Sequence, residues 1–214
     1  MRVDLSVYLV TDQASALQAG HDIPGVLHAA GDAVTAVQLR EKEATARDFF
    51  ETVLRSSAAL PPDVAIIVND RVDVFLAARA AGARVSGVHV GQSDLPPGAV
   101  RRLIGPEAIL GLSASTPAEL AAAGEERVAD YVGIGALHAT GTKTDAPPPL
   151  GHAHFARLVA LSTLPAVAIG GVTAADLPAL RRAGAAGAAV ASGVCGAADP
   201  GRAARELRAA WDAS

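Results

Sequence analysis

Three cationic side chains could together bind a multiply charged anion. Arg40 and Lys42 follow a short apolar run of the sequence, and Lys143 lies in a separate polar segment. Guanidinium and ammonium groups bind phosphate oxygens through charge-assisted hydrogen bonds. The three cations therefore predict a highly charged ligand such as a diphosphate. A solvated Arg-Glu-Lys surface is an equally good interpretation of positions 40–42.

Two glycine-containing turns predict a second anion site. Gly170-Gly171 and Ser192-Gly193 each follow an apolar run late in the chain. Glycine allows a backbone N–H group to approach a phosphate oxygen without a Cβ atom in the way. Two tight turns that bind nothing are the alternative, because paired glycines are common in turns.

Two aspartates predict a site for a hard divalent cation. Asp70 and Asp94 each come just after an apolar run, and carboxylate oxygens suit Mg²⁺ that also contacts substrate phosphates. Each aspartate has a structural alternative, since Asp70 could cap the helix that follows it and Asp94 could form a turn before two prolines. The neighbouring cations favour the metal interpretation.

The histidines and the single cysteine give weaker signals. His89 lies near the end of an apolar run, where it could orient a ligand or serve as a hydrogen-bonded core residue. Cys195 is expected to be a small buried residue and not a nucleophile. Four other histidines are expected to lie away from the site, namely His21, His28, His152 and His154.

Eight short apolar runs alternate with helical stretches, and these elements must position the polar residues. The runs recur about every 20–35 residues, which is the length of a strand and its crossover helix. They lack two-residue alternation, as expected for parallel strands covered on both faces. We predict a (β/α)8 TIM barrel, with an open doubly wound sheet as the alternative, and the carboxyl ends of its strands would form the site. The predicted strands are residues 7–10, 34–39, 65–68, 87–90, 109–112, 131–134, 166–169 and 188–191.

Several helix starts are evident between these strands. Thr116 and Thr173 each precede an acidic residue by three positions, which predicts capping boxes. Asp199-Pro200 is expected to open the last helix, and Asp70 to cap a helix over residues 71–80.

Composition sets the class of protein. Half of the 214 residues are hydrophobic and 19% are charged, which excludes a disordered chain, and a net charge of −4 argues against a nucleic-acid partner. A lone cysteine excludes an internal disulfide, and no apolar run is long enough to span a membrane. The charged amino terminus does not resemble a secretory signal. We expect one cytoplasmic domain over residues 1–214 that binds small molecules, with homo-oligomerisation left open.

Six ordered motifs resemble the thiamine phosphate synthase family over nearly the whole chain. They are YLVTD at 8–12, QLREK at 38–42, NDRVD at 69–73, GVHVGQSDLP at 87–96, TGTKTDA at 140–146 and IGGV at 169–172. The resemblance implies a (β/α)8 barrel that needs Mg²⁺. It implies transfer of a hydroxymethylpyrimidine group from its diphosphate to the nitrogen of a thiazole phosphate, or of its carboxylated form, which yields thiamine phosphate and diphosphate.

The resemblance also implies roles for individual residues. Mg²⁺ would be held by Asp70 and Asp94. The pyrimidine diphosphate would be bound by Gln38, Leu39, Arg40, Glu41, Lys42, Asn69, Ser113 and Lys143. The thiazole phosphate would be bound by Thr140, Gly141, Thr142, Gly171, Ala191 and Ser192. The catalytic residues would be Arg40, Lys42, Ser113 and Lys143.

Two segments depart from the family pattern, and two other functions compete with it. Residues 135–139 read GALHA where the family often has proline and aromatic residues, and Gly193 stands where alanine is common. Both departures concern the thiazole pocket. A related thiazole tautomerase would share the barrel but would not need the predicted diphosphate site, whereas a thiamine phosphate sensor would bind without turnover.

Overall fold

All eight apolar runs form β-strands, and the strands pair in sequential order into a closed parallel barrel. The computed structural model describes residues 3–140 and 149–213. The strands are β1 Leu5–Val10, β2 Ala36–Leu39, β3 Ala65–Asn69, β4 Gly87–Val90, β5 Ile109–Ser113, β6 Tyr131–Ile134, β7 Ala166–Ile169 and β8 Gly187–Val190. The prediction of a single-domain TIM barrel is therefore confirmed, and the doubly wound alternative is wrong because β1 pairs with both β2 and β8.

Helices follow the strands and cover the outside of the barrel. They are α1 Gln13–Gln18, α2 Ile23–Ala30, α3 Ala46–Ala59, α4 Val72–Ala80, α5 Pro97–Ile104, α6 Pro117–Glu126, α7 Gly151–Leu161, α8 Leu177–Arg182, α9 Ser192–Cys195 and α10 Pro200–Asp212. Within the described residues, no helix is both long and apolar enough to cross a membrane.

The predicted helix starts are largely confirmed. Thr116 and Glu119 form a capping box at α6, and Asp199 accepts a hydrogen bond from the Arg202 amide at α10. Thr173 and Asp176 form a second capping box. This box opens a short 3₁₀ turn that continues into α8. The predicted start of the helical segment is therefore confirmed, whereas the 3₁₀ geometry of its first turn was not predicted.

The prediction that Asp70 caps a helix is wrong. Arg71 occupies the N-cap position of α4, and no side chain there accepts a capping hydrogen bond. Asp70 instead adopts a left-handed backbone conformation with φ of 59°. This conformation costs free energy for a residue with a Cβ atom. Residues held in such a conformation are frequent at functional sites, which agrees with a functional role for the Asp70 carboxyl.

The apolar core has two layers. The larger layer lies between the strands and the helices, and the smaller one fills the inside of the barrel. The inner layer contains both tyrosines of the chain, Tyr8 and Tyr131, whose rings meet edge to face with centroids 6.0 Å apart. Their hydroxyl groups form part of a polar layer inside the barrel.

Candidate active site

A cavity of about 610 Å³ opens at the carboxyl ends of the strands. Most of the predicted site residues line this cavity, although they come from seven different strand ends. Those that line it are Gln38, Arg40, Lys42, Asn69, Asp70, Asp94, Ser113, Thr140, Gly171, Ala191 and Ser192. The structure therefore brings residues together that the sequence separates by up to 154 positions (192 − 38).

Two of the remaining predicted residues have different positions. Leu39 is fully buried in the layer between the strands and the helices, because neighbouring residues of a strand point to opposite faces and Gln38 points inward. Glu41 is half-buried and does not line the cavity. Gly141, Thr142 and Lys143 lie outside the described residues.

Asp70 and Asp94 form an acidic pair on one side of the cavity. Burial, together with the neighbouring Asp94 carboxyl, raises the pKa of Asp70 from 3.8 to about 6, against the opposing effects of Asn69 and Arg40. Asp94 accepts a hydrogen bond of 2.6 Å from the Gly91 amide, as the turn interpretation expects. Two neighbouring carboxyl groups repel each other when both are ionised. A hard divalent cation bound by both would reduce this repulsion.

Arg40 lies beside this acidic pair and is incompletely paired. Its Nη2 atom is buried and has no hydrogen-bond partner among the residues that the structure describes. A buried guanidinium N–H without a partner is costly, so the site is suited to an anionic ligand that would accept this hydrogen bond. The Arg40 backbone is held by Thr11, whose hydroxyl accepts a 2.8 Å hydrogen bond from the Arg40 amide.

Close backbone packing surrounds Gly170 and Gly171 at the end of β7. Both have positive φ angles, of 91° and 66°. A Cβ atom on Gly170 would lie 2.6 Å from the Cβ of Ala136, and one on Gly171 would lie 2.8 Å from the Cβ of His138. Conformation and space both require glycine at these two positions, so the turn itself explains their residue type. It leaves the backbone of the turn accessible from the cavity.

A chain of hydrogen bonds crosses the inside of the barrel below the cavity. The Gln38 amide donates to the Tyr8 hydroxyl at 2.9 Å, and the two tyrosine hydroxyls lie 2.8 Å apart. His89 Nδ1 lies 2.9 Å from the Tyr131 hydroxyl, and His89 Nε2 lies 3.0 Å from the Ser113 hydroxyl. The chain thus links two predicted pyrimidine-binding residues, Gln38 and Ser113.

One arrangement of protons uses both tyrosine hydroxyl protons within this chain of hydrogen bonds. Tyr8, which accepts from Gln38, donates to Tyr131, and Tyr131 donates to His89 Nδ1. In this arrangement the His89 proton is on Nε2 and is donated to Ser113. The Ser113 hydroxyl proton would then be available for a ligand in the cavity.

Glycines make room for this chain of hydrogen bonds, which no local sequence pattern indicates. A Cβ atom on Gly111 would collide with both the Tyr131 ring and His89 Nδ1, and one on Gly133 would lie 3.3 Å from His89. Sequence reasoning missed Tyr8 and Tyr131 as parts of the site. Their rarity was the available signal, since the chain has only two tyrosines and both fall in predicted strands.

We expect Tyr131→Phe to lower both the free energy of unfolding and the turnover of the pyrimidine substrate. The change leaves Tyr8 and His89 without their shared partner, which should cost about 1–3 kcal/mol of unfolding free energy. Because the proton arrangement described above is lost, the His89 tautomer should also change, which ¹⁵N NMR of the imidazole would detect. An unchanged tautomer in the folded variant would contradict that arrangement.

Comparisons with known proteins cover nearly the whole chain. The model of the thiamine monophosphate synthase family matches residues 7–194. A thiamine-phosphate synthase of Azorhizobium caulinodans is 45% identical over 206 residues, which cover 96% of this chain and 94% of that protein. One of Corynebacterium efficiens is 43% identical, with 95% and 94% covered. The solved thiamine phosphate pyrophosphorylase of Pyrococcus furiosus is 30% identical with a TM-score of 0.82, and 98% of this chain and 96% of that one are covered. The chain therefore belongs to the thiamine monophosphate synthase family.

Proposed function

We propose that this protein is a Mg²⁺-dependent thiamine phosphate synthase. It transfers a hydroxymethylpyrimidine group from its diphosphate to the nitrogen of a thiazole phosphate or of the carboxylated thiazole phosphate. One observation carries the proposal furthest, namely that Arg40, whose Nη2 atom has no partner among the described residues, and the Asp70–Asp94 pair line the same cavity. An anion would accept a hydrogen bond from Arg40 and a divalent cation would suit the acidic pair, and a metal diphosphate supplies both.

The diphosphate end of the substrate lies against the ends of β2, β3 and β4. Arg40 offers a planar guanidinium, and Lys42 offers a mobile ammonium group on the same loop. Asp70 and Asp94 fit Mg²⁺ because their oxygens are hard ligands, and burial together with the neighbouring Asp94 carboxyl raises the pKa of Asp70. When bound there, Mg²⁺ supplies positive charge that stabilises the departing diphosphate. By family resemblance, Lys143 adds a further cation.

The reaction breaks one C–O bond and forms one C–N bond. The electron pair of the C–O bond leaves with the diphosphate, whose growing charge is stabilised by Arg40 and Lys42. The aminopyrimidine ring supports the carbocation left behind, and Gln38 and Ser113 orient this ring at the floor of the cavity. The thiazole nitrogen then donates its lone pair to the cation, and the carboxylated thiazole would in addition release CO₂ and take up a proton in its place. These residues act by positioning and electrostatics, without a covalent enzyme intermediate.

The thiazole phosphate lies against the opposite side of the barrel mouth. Its proposed residues follow β6, β7 and β8, whereas those for the diphosphate follow β2, β3 and β4. Because the strands close in sequential order, β1 and β5 separate these two groups. The residues on the thiazole side within the described chain are Thr140, Gly171, Ala191 and Ser192.

We expect Ser192→Ala to raise the apparent KM for the thiazole phosphate while sparing the pyrimidine diphosphate. Loss of one hydroxyl that donates to a phosphate should cost about 1.5–3 kcal/mol of binding, or roughly 10- to 150-fold in KM. Steady-state kinetics with each substrate varied in turn would measure this. Equal weakening of both substrates would contradict two separate anion sites.

Turnover with both substrates and Mg²⁺ tests the proposal against its two rivals. We expect equal amounts of thiamine phosphate and diphosphate to form, and EDTA to stop the reaction. A tautomerase would convert a thiazole phosphate isomer without any diphosphate, and a sensor would bind without product. The extent of the domain over residues 1–214, the cytoplasmic location and the lack of a nucleic-acid partner stay predictions from the sequence, and homo-oligomerisation stays open.

A further inference from the structure

Two histidines and an aspartate meet on the β6–β7 side of the barrel. His138 follows β6, His152 lies in the first turn of α7, and Asp176 lies just before α8. The Nε2 atom of each histidine lies 2.9 Å from the same atom, Asp176 Oδ1. The aspartate side chain is only 9% exposed, whereas the histidines are 40% and 44% exposed. The cluster is therefore anchored in the protein and open to solvent on one side.

The shape of this cluster fits a transition-metal ion. All three ligand atoms lie within 4.8 Å of one another. With metal–ligand bonds of about 2.05 Å, a nitrogen–oxygen separation of 2.9 Å corresponds to an angle of about 90° at the metal. A widening of about 0.4 Å would reach the tetrahedral angle that Zn²⁺ prefers. Side chains that are partly exposed can make such a small movement, and water can fill the open positions.

Asp176 is already oriented as a metal ligand. Its Oδ2 atom accepts 2.8 Å hydrogen bonds from both the amide and the hydroxyl of Thr173, which leaves Oδ1 directed at the two imidazoles. Hydrogen bonds of this kind fix ligating carboxylates in metal sites. Two imidazoles with one carboxylate suit Zn²⁺, Co²⁺ or Ni²⁺, whereas the all-oxygen pair at the barrel mouth suits Mg²⁺.

We propose that His138, His152 and Asp176 form a second metal site, specific for divalent transition metals and separate from the Mg²⁺ site. His138 precedes residues 141–148 and His152 follows them. A metal ion held by both histidines therefore links the two ends of the segment that contains Gly141, Thr142 and Lys143. Bound metal would stabilise the fold around the thiazole side of the mouth, where His138 packs against Gly171.

Calorimetric titration with Zn²⁺, and absorption spectra with Co²⁺, would test the site on the untagged full-length protein. Saturating Mg²⁺ would be present to occupy the barrel mouth, and no substrate is needed. We expect one equivalent of metal to bind and to raise the melting temperature. His138→Ala and His152→Ala should each weaken binding by at least about 100-fold, because a lost ligand costs more than a lost outer-shell partner.

The chain offers matched controls for this experiment. His154→Ala removes a histidine from the same helix and should leave Zn²⁺ binding unchanged, as should Asp94→Asn at the barrel mouth. Absence of binding to the unaltered protein, or equal binding to all the histidine variants, would overturn the proposal. Loss of binding in Asp94→Asn alone would assign the metal to the mouth and would also overturn it. Because binding is measured directly, failure of the proposed synthase activity would leave this test intact.

Discussion

Replacing Arg40 with glutamine is expected to lower kcat by on the order of 10²- to 10³-fold while the protein stays folded. The Arg40 Nη2 atom is buried at the cavity with no partner among the described residues, so its charge faces the position proposed for the leaving diphosphate. The charge on that group grows as the C–O bond breaks. The interaction is therefore stronger in the transition state than in the bound substrate, and its loss should lower kcat. Steady-state kinetics beside a thermal melt would measure both quantities.

Two further variants make the Arg40 result specific. Arg40→Lys keeps the charge but loses the planar fork, and we expect it to recover only part of the activity. Arg47→Gln makes the same change at an exposed position at the start of α3, where it should leave kcat unchanged. Binding of inorganic diphosphate should weaken in Arg40→Gln but not in Arg47→Gln. Normal turnover by a folded Arg40→Gln would contradict the proposed position of the diphosphate.

The parallel barrel made much of this site predictable from the sequence. Polar residues that follow short buried strands must gather at one end of a closed barrel, and this placed Arg40, Asp70 and Asp94 together. This reasoning does not extend to Leu39, whose binding role comes only from the resemblance of the QLREK motif to the family. The alternation of side chains along β2 directs Leu39 outward into the helical layer.

Other features could not be predicted, because they depend on contacts between distant segments. Tyr8 and Tyr131 are 123 residues apart, and no local pattern marks their hydroxyls as partners. His152 is expected from the sequence to lie away from the barrel mouth and does not line its cavity, but no local pattern indicates that Asp176 brings it beside His138. At Asp70 the local pattern was misleading, since an aspartate before a helix usually caps it. The left-handed backbone at this residue is visible only in three dimensions.

Asp94→Asn is expected to shift the Mg²⁺ activation curve to much higher concentration and to lower the maximal rate. Asparagine keeps one neutral oxygen but loses the charge that a hard divalent cation prefers. Little stability should be lost, because the amide oxygen can still accept the hydrogen bond from Gly91. Asp22→Asn is the matched control, since Asp22 also accepts from a backbone amide, at Gly25, but does not line the cavity. Its Mg²⁺ curve should be unchanged.

The pH dependence of the metal-free protein gives an independent measure of the same pair. In the folded state the pKa of Asp70 is raised from 3.8 to about 6, so between these values the folded protein holds a proton that the unfolded chain has released. The metal-free fold is therefore stabilised as pH falls through this window, and it loses that contribution as pH rises through 6. In Asp94→Asn the neighbouring charge is gone, and burial remains as the largest cause that raises the pKa of Asp70. The slope of stability against pH should then shrink.

These two measurements separate a metal site from a purely structural pair of carboxyls. Melting in EDTA from pH 4 to 7 reports whether the ionised carboxylates of Asp70 and Asp94 repel each other. Activity measured against Mg²⁺ concentration reports whether a cation binds to this pair. If both results change in Asp94→Asn, the pair binds the ion on which diphosphate departure depends. If the pH slope shrinks while the Mg²⁺ curve stays normal, the two carboxyls are neighbours without a metal between them. Arg40 and Lys42 would then have to stabilise the leaving group without the acidic pair, and the Mg²⁺ dependence proposed for this site would be wrong.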